Sequence, residues 1–219
     1  MYPPNIKTTV IIPTENLGLK GDLLVPHNAV GLVIFAHGSG SSRLSPRNQM
    51  VADYLNKRGI ATFLFDLLTP SEDKDYSNRF NIAMLGERLK DVTLWLKEQE
   101  DCKGFRFGYF GASTGAAAAF IAASELPDTA AVVSRGGRPD LAMNVLSEIK
   151  APALLIVGGL DMEVLKLNQK ALDHLDCEKK LEIIPGATHL FEEPGAMERV
   201  CVLAANWFEL HVQPLELIN

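Results

Sequence analysis

Phe105-Arg106-Phe107-Gly108-Tyr109-Phe110-Gly111-Ala112-Ser113-Thr114-Gly115-Ala116-Ala117-Ala118-Ala119 decides how this chain is read. An aromatic run of strand length, Phe105–Phe110, is followed after five residues by Ala116–Ser124, a run of strong helix formers. The five residues between them spell G-x-S-x-G. Small residues on both sides of one serine let a strand turn sharply into a helix and hold the hydroxyl out at the corner. The helix N-terminus behind that corner favours negative charge, which develops when a hydroxyl attacks a carbonyl. Ser113 is therefore the candidate nucleophile.

Outward from this corner the chain alternates strand and helix patterns. Lys7–Ile12 and Leu19–Val25 read as strands joined by a turn-rich loop too short for a helix, so an antiparallel hairpin is expected. Leu32–Ala36, Ile60–Phe65, Ala130–Ser134, Ala153–Val157 and Leu181–Ile184 are apolar runs suited to buried strands. Helical spacing marks Arg47–Lys57, with Met50, Val51, Tyr54 and Leu55 on one face and Gly59 as the stop. Further helices are expected at Ile82–Leu96, Val164–Leu175 and Ala196–Leu210, with a modest one at Asp140–Ile149. Thr69–Asn78 has no pattern and reads as a loop that could cover a site, its acidic Glu72–Asp75 part solvated. The expectation is a mostly parallel α/β sheet of about eight strands with an antiparallel N-terminal hairpin, helices on both faces and right-handed crossovers. One domain over residues 1–219 is expected, without a lid domain.

A serine hydroxyl needs a base. Of five histidines, only His189 follows the last expected strand, in Gly186-Ala187-Thr188-His189-Leu190-Phe191. His174 lies within a helix, His211 ends one, and His27 and His37 precede the serine. His37 is read as structural, bonding to backbone. Asp161, on the loop after Ala153–Val157, is the candidate acid that orients the imidazole. Its rival is Glu163, and its plainer use is as the N-cap of the next helix. The oxyanion is expected to meet the backbone N–H of Thr114 and that of Ser39, in the loop His37-Gly38-Ser39-Gly40-Ser41-Ser42, where Gly38 and Gly40 let backbone approach substrate. Arg135 and Arg138 are candidates to bind a substrate carboxylate, against a plainer reading as salt bridges, for example with Asp140. Arg43 and Arg79 are weaker candidates of the same kind.

These segments resemble the α/β-hydrolases, and within them the dienelactone hydrolase-like group, over nearly the whole chain. The resemblance rests on His37–Ser42, the corner at Ser113, Gly158-Gly159-Leu160-Asp161 and Gly186–Gly195. Ser134-Arg135-Gly136-Gly137-Arg138-Pro139-Asp140 also looks like a subgroup of small serine hydrolases, some of them fused to phosphoribosyltransferase domains, although no such domain is expected here. Dienelactone hydrolases proper use a cysteine where this chain has Ser113, which favours ordinary esterase chemistry. The resemblance implies a Ser-Asp-His triad acting on a small-molecule ester of small to medium acyl length. Lactones, thioesters and amides are alternatives on the same groups.

Composition narrows the remaining classes. The 219 residues are 47% hydrophobic and 22% charged with a net charge of −6, the balance of an ordinary globular protein and not of a nucleic-acid binder. Three cysteines without metal-type spacing suit a reducing compartment. Met1–Asn5 does not resemble a signal peptide, and the apolar runs are too short to span a membrane. A cytoplasmic enzyme, monomeric or homodimeric, without cofactor or metal is expected. A non-catalytic or nucleotide-binding α/β module is the competing class. Gly38-Ser39-Gly40 and Asp66 resemble parts of a dinucleotide site, but Arg43 stands where its third glycine belongs.

Overall fold

A computed structural model describes residues 6–13 and 18–213. The N-terminal pentapeptide and residues 14–17 of the hairpin connection lie outside that range. Eight strands run in chain order: β1 Ile6–Pro13, β2 Gly18–Val25, β3 Leu32–Ala36, β4 Ala61–Phe65, β5 Phe107–Ala112, β6 Val132–Arg135, β7 Ala153–Gly158 and β8 Lys179–Ile184. Five helices accompany them: α1 Pro46–Lys57, α2 Ile82–Lys97, α3 Thr114–Glu125, α4 Met162–His174 and α5 Ala196–His211. The strands form one sheet in the order β1-β2-β4-β3-β5-β6-β7-β8. β2 is antiparallel to both β1 and β4, and every other pair is parallel. This is the expected architecture.

The two-residue period of each strand divides the core. On β3, Leu32, Ile34 and Ala36 enter the layer covered by α2, α3 and α4, whereas Val33 and Phe35 face α1 and α5. Both faces of the central strands are thus buried, as their unbroken apolar sequences require. From β3 the chain crosses to β4 on one side and later returns past it to β5 on the other. The carboxyl ends of β3 and β5 therefore meet where the strand order reverses, the place at which open α/β sheets leave a crevice for ligands.

Three local expectations are corrected. Residues Asp140–Ile149 form no α-helix but two 3₁₀ turns, Pro139–Ala142 and Leu146–Glu148. Val145 N–H bonds to Ala142 O and Glu148 N–H to Val145 O, the three-residue step that so short a segment can close. α1 buries Asn48, Val51, Ala52 and Leu55, while Met50 is solvent-exposed, so its inner face is turned from the one read off the apolar residues alone. The acidic stretch is only partly solvated. Two 3₁₀ turns, Glu72–Lys74 and Tyr76–Phe80, are braced by Arg88 on Glu72 at 2.7 Å and Arg79 on Asp73 at 2.7 Å. No helix among the described residues is long and apolar enough to cross a membrane.

The junction of β5 and α3 is packed backbone against backbone. A Cβ at Gly115 would stand 2.2 Å from the Ala36 carbonyl oxygen and 2.5 Å from that of His37. Both obstacles are backbone, so Gly115→Ala should push α3 off the sheet. The cost should exceed ordinary overpacking, at about 3 kcal/mol or more, and a thermal melt should show the midpoint lowered by roughly 10 °C.

Candidate active site

Ser113 occupies the corner between β5 and α3 with φ 50° and ψ −123°, a backbone region that L-residues enter at a cost of about 1–3 kcal/mol. The fold holds it there through its own backbone. Ser113 N–H donates to Arg135 O at 3.2 Å, and Ser113 O accepts from Arg138 N–H at 3.0 Å and Ala116 N–H at 3.1 Å. The side chain does not cap α3, so the hydroxyl is left for the cleft.

Asp161 sits at the start of α4 but makes no capping bond with its side chain. Its Oδ2 instead accepts a 2.6 Å hydrogen bond from His189 Nδ1. Since a carboxylate can only accept, the proton resides on Nδ1 and leaves the Nε2 lone pair for a base. Asp161 thus stands at the N-cap position of α4 while its carboxylate is turned to His189. Glu163 lines the same cleft without bonding to the imidazole. Backbone bonds tie the two loops together: Leu160 N–H donates to Ala187 O at 2.9 Å and Gly159 N–H to Ile184 O at 2.8 Å. Ser113, Asp161 and His189 share an open cleft of about 260 Å³ with Arg138, Glu163, Val164 and Leu167.

The glycine loop after β3 packs against Ser113 from the side away from that lining. A Cβ at Gly38 would lie 3.0 Å from Ser113 Cβ and 3.7 Å from its Oγ, so a side chain there would crowd Ser113. Ser39 N–H donates to Thr114 Oγ1 at 2.9 Å, a contact that sequence spacing could not signal. Gly40 lies beside Arg79, with a Cβ there 3.5 Å from its Nη1. Beyond the loop, Arg43 is fixed by Asp66 at 2.8 Å and Asp22 at 3.0 Å. Asp66 is thereby occupied in a structural pair.

Arg135, the last residue of β6, and Arg138, three residues on, part company. Arg138 reaches the cleft, but its fork is filled by Asp140 through bonds of 2.9 and 2.8 Å, and that pairing raises its pKa further. The Arg135 guanidinium is buried beneath the base loop, 5.8 Å from the centre of the Phe191 ring. It makes one long bond, to Asn48 Oδ1 at 3.4 Å, and its Nε has no partner among the described residues. Burial and, secondarily, the charge of Arg47 lower its pKa to about 10, so it stays cationic near neutrality. Phe191 itself has φ 55°, which bends the base loop over this charge.

A family model for the dienelactone hydrolase family matches residues 21–208. The chain belongs to the dienelactone hydrolase family. It is 50% identical to a dienelactone hydrolase from Anabaena variabilis whose crystal structure superposes with a TM-score of 0.92, covering 95% of this chain and 99% of that one. Est1E from Butyrivibrio proteoclasticus shares the fold at 16% identity, with a TM-score of 0.79 over 92% of this chain and 98% of its own. Two Mycobacterium tuberculosis proteins provisionally named as phosphoribosyl transferases are 51% identical over 96% of this chain, which spans 48% of their length. The chain thus covers about half of those relatives. Its fold and its family are those of an α/β hydrolase.

His37 holds the glycine loop to the loop after β4. Leu67 N–H donates to its Nε2 at 3.0 Å, so Nδ1 carries the proton and donates to Gly38 O at 2.9 Å. Burial lowers its pKa below the usual 6.5, because a protonated ring would lose the Leu67 bond and carry charge in the core. The stability this contributes is full above the unfolded value near 6.5 and is lost as pH falls through the lower folded value. Urea midpoints measured from pH 8 to 5 should therefore fall for the native chain and fall less for His37→Gln, which cannot titrate.

Proposed function

We propose that this chain is a serine carboxylesterase for neutral esters of small to medium acyl groups. The observation that carries the reading is the 2.6 Å His189–Asp161 bond, set in one cleft with a serine held at positive φ. Ser113 attacks the ester carbonyl while His189 takes its proton. The tetrahedral oxyanion is met by the Thr114 N–H, beside the Ser39 N–H that donates to Thr114 Oγ1. His189 then protonates the departing alcohol, leaving an acyl-serine. Water activated by the same imidazole releases the acid and restores the serine. None of these steps calls on a cofactor.

Electrostatics of the cleft favour neutral acyl groups. Asp140 takes both prongs of Arg138, while Glu163 faces the same space unpaired with any cation at the distance of a salt bridge among the described residues. Val164 and Leu167 offer apolar wall. Arg138 accordingly shapes the cleft more than it supplies a free carboxylate clamp, and Arg135 acts from beneath. Lactones, thioesters and amides can be cleaved by the same groups. A nucleotide-binding role fits less well, because the glycine loop faces Ser113 and Asp66 is engaged by Arg43.

Purified protein should hydrolyse short p-nitrophenyl esters without additives, and Ser113→Ala should lose about 10⁴-fold or more in kcat. A fluorophosphonate should label Ser113 in the native chain. If no ester is turned over and no label is taken up, a binding module replaces the enzyme in this reading. Among esters of like size, p-nitrophenyl butyrate should exceed its hemisuccinate counterpart in kcat/KM by about tenfold, on the order of one like-charge contact. The margin should narrow in Glu163→Gln. Equal rates for both substrates would count against the charge argument while leaving the nucleophile in place.

A further inference from the structure

The Ser39 amide, which the serine-hydrolase reading aims at the oxyanion, is already in use. It donates to Thr114 Oγ1 at 2.9 Å. That oxygen belongs to the residue after the nucleophile, and the amide belongs to the residue after Gly38, which packs against Ser113. The hydroxyl therefore bonds one backbone donor of the expected oxyanion hole and belongs to the residue that supplies the other. A threonine hydroxyl has two lone pairs and one proton. One lone pair is taken by Ser39, whereas the proton has no acceptor among the described residues. Thr114 is only 5% exposed, so bulk water does little to satisfy that proton.

We propose that the Thr114 hydroxyl is a side-chain oxyanion donor, supported in relay by the Ser39 N–H. Resting on the reading of Ser113 as nucleophile, this makes Thr114 a catalytic residue through two groups, its backbone N–H and its O–H. The hydrogen bond accepted from Ser39 withdraws electron density from Oγ1 and strengthens it as a donor. No proton changes owner: Thr114 keeps its hydrogen while the tetrahedral oxygen forms and collapses, and only the hydrogen bond strengthens with the developing charge. The backbone amide of Ser39 thus acts at one remove, through a group a substitution can delete.

Thr114→Val preserves shape and removes the hydroxyl, whereas Thr114→Ser keeps the hydroxyl and removes the methyl. On p-nitrophenyl butyrate, Thr114→Val should lose about 10–10³-fold in kcat with KM within about threefold, the pattern of an interaction made in the transition state. Thr114→Ser should recover most of that loss. A Thr114→Val variant as fast as the native chain or faster would overturn the relay, the hydroxyl then merely competing for the Ser39 amide. A Thr114→Ser variant as slow as Thr114→Val would overturn it also, by making the methyl the active part. Should Thr114→Val not fold, the native chain still gives an answer through a crystal structure of its covalent phosphonate adduct. Thr114 Oγ1 within about 3 Å of the adduct oxygen supports the relay, and a separation beyond about 4 Å overturns it. A native chain that neither turns over esters nor takes the phosphonate would overturn the parent reading, and the relay with it. A labelled, active native chain with an unaffected Thr114→Val overturns the relay alone.

Discussion

The closeness of α3 to the end of β3 is the constraint on which the rest of the molecule hangs. Where Gly115 lies against the Ala36 and His37 carbonyls, no side chain can intervene. A helix that begins this near the sheet must leave its strand through a turn too sharp for ordinary backbone angles, and Ser113 takes the strain. Three consequences follow together. The serine is lifted to the sheet's carboxyl edge, the glycine loop after β3 is brought beside it, and the amides of the first turn of α3 face the same space. The loops that carry Asp161 and His189 leave the ends of β7 and β8, which follow β6 along the same side of the sheet from β5.

Charge is handled differently on the two sides of that edge. On the glycine-loop side, arginines are matched with carboxylates: Arg43 with Asp22 and Asp66, Arg79 with Asp73, and Arg88 with Glu72. Partly buried pairs of this kind fix loops in place more than they stabilise the fold. Beneath the base loop, Arg135 has an aromatic face and a long amide contact instead of a carboxylate. The loop that carries His189 is therefore packed over a fixed positive charge.

Much of this was legible in the chain itself. Apolar runs of five or six residues between amphipathic stretches gave the strands and most helices, because burial on both faces leaves no polar position to blur the pattern. Ser113, Asp161 and His189 stood out as candidates because each follows closely on a strand end, and the sheet does bring all three to one cleft. Elements held by local competition were not. Asp140–Ile149 has helical spacing but lacks the length to leave 3₁₀ geometry, and the inner face of α1 includes the polar Asn48, which no hydrophobic pattern selects. Contacts between distant side chains were equally silent. The separation of Arg138 from Arg135, two cations three residues apart with opposite surroundings, depends on which face of β6 each leaves. The bond between Ser39 and Thr114 depends on the approach of two loops that only the closed sheet brings together.

Asp161 shows how one group can be wanted twice. It stands where α4 needs a capping side chain, yet its carboxylate is turned to His189. The opening amides of α4 therefore lack an internal acceptor that is commonly worth about 1 kcal/mol. That first turn carries Glu163 and Val164, part of the cleft wall. Local opening begins where backbone bonds are fewest and most exposed, so the side of the cleft adjoining the acid is the one that yields to an oversized group. The glycine loop, by contrast, is pinned at His37 and Arg43. On the esterase reading proposed above, breadth in the acyl portion and strictness at the reacting carbonyl would share one origin, in the choice a single carboxylate makes between a helix and a histidine.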